Sequence, residues 1–112
     1  MKNVILSLLA IAALSAVLFA AQAKQTFTGV ITDSECPTGD HSAMQMGPDD
    51  DSCTLACIEN HGAVYLLFHG DGSYNLSDQK MPKAFAGKKV TVTGTLDAKT
   101  NTIAVASITA AK

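Results

Sequence analysis

The 112-residue chain has no arginine, only three cysteines and three histidines, and a charged fraction of just 16%. Eight lysines stand against ten carboxylates for a formal net charge of −2. That balance argues against nucleic acid as a partner, because such binding rests on cationic neutralisation of phosphates. There is no Cys-x-x-Cys-His run: Cys53 and Cys57 are one residue too far apart and Ile58 follows the second, which excludes covalent haem. A thioredoxin-like site needs Cys-x-x-Cys at a helix start in an α/β chain, and neither condition is met. Asp49, Asp50 and Asp51 lack the regularly spaced oxygen ligands and closing glutamate of a calcium loop, and read as the solvated start of a helix. No serine–histidine–aspartate set or carboxylate pair stands out, so the chain reads as a binding protein and not an enzyme.

What is present begins with an export signal. Lys2 precedes an apolar run over residues 4–21, which ends in Ala21-Gln22-Ala23, a small-x-small pattern of the kind signal peptidase cuts. The run is nearly long enough to span a bilayer. Its place at the extreme N-terminus, directly before a cleavage-like triplet, favours removal over anchoring. No cysteine follows the cut, so a lipid anchor is not expected. The expectation is a signal peptide over residues 1–23 and one domain over residues 24–112, periplasmic or secreted, with no membrane attachment after cleavage.

Beyond Gln25 the chain breaks into short alternating runs separated by glycine and asparagine turns, the signature of an all-β barrel or sandwich. Residues 26–32 form a first strand with Phe27, Gly29 and Ile31 on one face. Residues 63–69 form a second, whose lack of alternation predicts burial on both faces. Gly70-Asp71-Gly72-Ser73 supplies a tight hairpin into Tyr74-Asn75-Leu76. A short helix is predicted over residues 78–86, with Pro82 in its first turn, Gly87 at its end, and Met81, Phe85 and Ala84 plugging the barrel. Val90, Val92, Gly94 and Leu96 alternate with Thr91, Thr93 and Thr95 in the clearest strand. The last strand, residues 102–109, slips parity between Val105 and Ile108, which predicts a bulge.

This order predicts an all-β fold with short helices: a five-stranded OB-like, partly open β-barrel carrying an insertion, residues 34–62, between strands 1 and 2. The motif Gly29-Val30-Ile31-Thr32-Asp33-Ser34-Glu35-Cys36, followed by His41, Cys53, Cys57, Gly62-Ala63-Val64-Tyr65 and the stretch Ala86-Gly87-Lys88-Lys89-Val90 through Asp97, resembles a family of small exported bacterial proteins of unknown function. The resemblance spans almost the whole chain beyond residue 24. It implies the barrel and the export and brings no activity with it.

All three cysteines, with His41 and His61, lie in the insertion. Its second half is expected to be helical, with Asp51 or Ser52 as N-cap and Gly62 at the stop. Cys53, Cys57 and His61 are then spaced four apart on one helical face, beside a Leu55/Ile58 stripe packed on the barrel, while Cys36 and His41 approach from the loop. Two chemistries fit. Cys36, Cys53 and Cys57 with His41, or less favourably His61, would make a tetrahedral shell for zinc. His41, Met44 and Met46 beside thiolates would suit copper(I), although loop packing or plain surface placement is the simpler account of the methionines. Alternatively Cys36 pairs with Cys53 or Cys57 in a disulfide staple worth roughly 2–4 kcal/mol. An odd cysteine is then left over. The expected function is an exported binding protein whose insertion holds zinc or copper. The alternative is a disulfide-stapled module with one spare thiol that grips an envelope or extracellular peptide, glycan or protein.

Overall fold

The structure, a computed structural model, describes residues 24–42, 47–70 and 72–112. The expected signal segment, Met44, Met46 and Asp71 of the hairpin lie outside the described residues. Five strands close into a barrel: β1 (Gln25–Asp33), β2 (Tyr65–His69), β3 (Gly72–Leu76), β4 (Lys89–Asp97) and β5 (Thr102–Ala110). Their order around the barrel is β1-β2-β3-β5-β4, and β4 pairs back onto β1. All pairs are antiparallel except β3 with β5. This is the OB-like arrangement expected from the element order. Among the described residues no helix is long and apolar enough to cross a membrane.

β1 closes the barrel by serving two neighbours. Gln25 to Val30 pair with β4, whereas Val30 to Asp33 pair with β2. Gly29 lies at this changeover, and a Cβ there would run into the Phe68 carbonyl of β2, so only glycine lets the two strands approach so closely. The inward face of β1 continues through Phe27 and Ile31 into a core completed by Tyr65, Leu67, Leu76, Val90, Val92 and Ile103. The same parity carries Asp33 inward at the strand's end, where it is fully buried. The expected bulge is present: Thr93 pairs with Ser107 but Gly94 pairs with Val105, which leaves Ala106 as the extra residue on β5.

Three local expectations are corrected. The helix between β3 and β4 is a single 3₁₀ turn, Met81–Phe85, started by Asp78, whose carboxylate accepts the N–H groups of Lys80 and Met81. Three residues per turn bring Pro82 and Phe85 to the inward side, so Met81 is 40% exposed and Ala84 is exposed as well, and Pro82, Phe85 and Ala86 form the plug instead. The second strand begins at Tyr65, with Val64 in the exposed approach to it. The insertion helix α1 spans Asp50–His61 and its N-cap is Asp49, neither Asp51 nor Ser52. Asp49 is extended after Pro48 and accepts both the N–H and the hydroxyl of Ser52, at 2.8 and 2.7 Å. Gly62 ends the helix in the left-handed region as expected, φ 66°.

The strand parity gives a paired test. Val92 is fully buried and Thr93 faces outward. Val92→Asp buries an unpaired charge and should cost at least about 4 kcal/mol, enough to unfold a domain this small, whereas Thr93→Asp should cost under about 1 kcal/mol. Thermal melts of the two variants showing equal tolerance would refute the assignment of β4.

Candidate metal centre

The centre is built on the end of β1. Asp33 points into the barrel rim, and its Oδ1 accepts the N–H groups of Glu35 and Cys36, each at 3.0 Å. This Asx-type turn doubles the chain back, helped by the Cys36 N–H on the Asp33 carbonyl at 3.2 Å and by the Thr32 hydroxyl donating to the Cys36 carbonyl at 2.6 Å. Ser34 fastens the turn to the strand leading into β2: its N–H donates to the Val64 carbonyl, and its hydroxyl accepts the Val64 N–H. The Cys36 thiol is thereby held, buried, beside the Asp33 carboxylate.

His41 completes the group from the loop. Its Nε2 lies 3.1 Å from Asp33 Oδ2 and 3.3 Å from the Thr54 hydroxyl, and its Nδ1 lies 3.1 Å from Asp50 Oδ1. One carboxyl oxygen of Asp33, one imidazole nitrogen of His41 and Cys36 Sγ all lie within 4.8 Å of one another, and all three residues are buried. Burial works to lower the imidazole pKa, but the hydrogen bonds and charges of Asp33 and Asp50 outweigh it and leave it raised. Burial pushes the Cys36 thiol up, reinforced by the charges of Asp33 and, after it, of Cys53, Asp40 and Glu35. The Cys57 thiol is pushed up to about 11 by burial, then by the charges of Asp33 and Cys36. Thiols held protonated in this way are poor nucleophiles. A cation that displaced their protons would meet a ready set of anionic donors.

Of the residues marked in the sequence, Cys36 and His41 come within 4.8 Å of one another, while Cys57 is fully buried but is not part of that group. Cys53 is buried too, but its thiol donates to the Gly47 carbonyl at 3.4 Å. His61 is exposed at the last residue of α1, so the helical face that begins at Cys53 and Cys57 runs out past the rim before reaching the third member. Met44 and Met46, the soft-ligand alternative, lie outside the described residues. The disulfide alternative is not realised in this structure: Cys36, Cys53 and Cys57 are all free. Three participants were not singled out as such in the sequence: Asp33, Asp50 and Thr54. The strand parity that puts Phe27 and Ile31 inside also puts Asp33 there, a signal available in the sequence. Asp50 was read only as helix-start charge, and Thr54 gave no signal. A surface cleft opens over the group, lined by His41, Cys53, Asp40, Asp49 and Asp50 among others.

The imidazole makes the metal-free protein sensitive to pH. Folding raises the His41 pKa, so the stabilisation it contributes is complete below the ordinary value of 6.5 and is lost as pH climbs through the raised value. The melting temperature of metal-free protein should therefore fall across that window, and His41→Gln should abolish the fall. A second loss belongs to Cys57 between its ordinary value of 9.0 and about 11, with the same sign.

Residues 58–111 match the model of a family described as a protein of unknown function (DUF5818). The match supports kinship with an uncharacterised family and covers the barrel from the end of α1 through β5, while Asp33, Cys36, His41, Cys53 and Cys57 fall before it. No curated protein and no solved structure matches the chain.

Proposed function

We propose that this is an exported binding protein, not an enzyme, whose insertion captures a thiophilic transition metal, zinc or copper, in the periplasm or outside the cell. The observation that carries the reading is the convergence of a carboxylate oxygen, a thiol sulfur and an imidazole nitrogen, all buried and within 4.8 Å of one another. Metal–ligand bonds of about 2.0–2.3 Å set tetrahedral donors about 3.3–3.8 Å apart, so roughly an ångström of contraction would close the group on an ion. The acidic cleft above His41 gives a cation a way in. Export is supported by Lys2, the apolar run that follows it and the Ala21-Gln22-Ala23 triplet.

One alternative has an observation behind it. Cys36, Cys53 and Cys57 are all free and buried, and oxidation could join Cys36 to Cys53 or Cys57 in a staple that leaves one thiol spare. The protein would then act as a binding module for an envelope or extracellular peptide, glycan or protein.

Native mass spectrometry of protein isolated from the exported fraction separates the two readings. The metal reading expects one bound ion and three free thiols after denaturation. It also expects Cys36→Ser to lower affinity by at least about a hundred-fold, and His61→Ala to leave it unchanged. A mass lower by two hydrogens with no ion, in the wild type, would replace the metal site with the staple.

A further inference from the structure

Resting on the metal reading above, we infer that Asp50 is the positioning residue of the site: it keeps the proton on His41 Nδ1, so that Nε2 is the nitrogen turned to the ion, and it is not itself a ligand. The two nitrogens of His41 face unlike surroundings. Nε2 looks inward, 3.1 Å from Oδ2 of the fully buried Asp33 and 3.3 Å from the buried hydroxyl of Thr54. Nδ1 looks outward, 3.1 Å from Oδ1 of Asp50, whose side chain is 64% exposed. Cys36 belongs to the inward side, because its N–H is bonded to the other oxygen of Asp33 at 3.0 Å. The donor atoms that lie within 4.8 Å of one another come from Asp33, Cys36 and His41, and Asp50 is not in that group.

An imidazole that ligates gives up one proton and keeps the other. Exchanging the Nε2 proton for a cation satisfies Nε2, Asp33 Oδ2 and the Cys36 sulfur together, whereas an ion at Nδ1 would lie on the exposed side, away from Cys36. The nitrogen beside Asp50 therefore keeps its proton, and the ionised carboxylate, which can only accept, holds it there. A carboxylate on the far nitrogen of a ligating histidine fixes its tautomer and ring orientation and raises the basicity of the ligating nitrogen.

Asp50 can position another group because its own backbone is seated on the barrel. A Cβ on Gly87 would lie 2.6 and 2.8 Å from the backbone N and Cα of Asp51, so the first turn of α1 rests directly on the backbone of the segment leading into β4. That segment is bonded in turn to β1, with the Gly87 N–H on the Ile31 carbonyl at 2.8 Å and the Ile31 N–H on the Lys88 carbonyl at 3.0 Å. Strand β1 thus supports both carboxylates that face the imidazole: Asp33 at its own end, and Asp50 through Gly87.

The test uses the reduced, metal-free full chain with Zn²⁺ and Cu(I) as probes, both suited to NMR. Asp51→Asn is the control, since it removes the same charge from the same helical turn at a side chain that pairs with Lys88 at 3.7 Å and not with His41. Asp50→Asn should lower affinity for the bound ion about 10–100-fold and Asp51→Asn less than about three-fold, while Asp50→Glu should recover part of the loss. Nitrogen-15 NMR of the loaded, unmodified protein should show His41 with Nε2 on the metal and a proton on Nδ1, and that proton should exchange with water faster in Asp50→Ala. Because the unmodified protein itself reports which nitrogen ligates, failure of a variant to fold does not remove the test. Equal losses in Asp50→Asn and Asp51→Asn, or a metal on Nδ1, would overturn the inference and leave the metal reading standing. Binding of neither ion by the unmodified protein would overturn both.

Discussion

A carboxylate fully buried at a barrel rim must be satisfied on both oxygens, and the solution found for Asp33 shapes everything around it. An unpaired charge in that position would cost several kcal/mol, a large share of the stability of a domain this size. One oxygen is met by the backbone of the turn that Asp33 itself creates, and the other by His41. The first requirement fixes where Cys36 sits. The second pulls the loop in over the rim, and through Asp50 it ties the start of α1 to the same imidazole. Among the described residues no buried side-chain nitrogen or oxygen is left without a partner, so the network is complete without an ion.

On the proposed metal reading, the same arrangement would serve the protein with and without an ion: the imidazole, its pKa raised by Asp33 and Asp50, meets both carboxylates, and a bound ion would displace the protons of imidazole and thiol. Such an exchange requires few side chains to move far, since the donors are already gathered on a turn and a loop that pack on one another. The closed barrel beneath supplies rigidity: β1 pairs with β4 along its first part and with β2 along its last, where Ile31 also bonds Gly87 and Lys88 on its other edge.

Helix α1 departs from the ordinary surface helix. Its buried residues are Cys53, Thr54 and Cys57, while the more apolar Leu55 and Ile58 are only partly buried against the core. A helix placed by hydrophobic burial alone would turn its most apolar stripe inward. Here the inward face carries Cys53, Cys57 and Thr54, whose hydroxyl reaches His41, which is the orientation a polar centre requires.

Much of the barrel was legible because strand alternation is a local property: Val90, Val92, Gly94 and Leu96 announce their face within eight residues, and the parity slip in β5 announces its bulge. The gathering of cysteines and histidines in one insertion was equally plain, and it pointed to either a metal site or a disulfide staple. Which of them meet was not legible. Helical periodicity put Cys53, Cys57 and His61 on one face correctly, yet the face extends beyond the rim, so His61 ends in solvent while Cys53 and Cys57 are buried. Asp33, read only as part of a motif, becomes the hub because the strand that carries it ends inside the barrel and not on its surface. The sequence alone determined the periodicities and the inventory of donors, which depend on neighbours in the chain. Only the tertiary structure could choose among those donors, because the side chains of residues 33, 36 and 41 come together where a turn and a loop fold over a barrel rim, a geometry that no local spacing encodes.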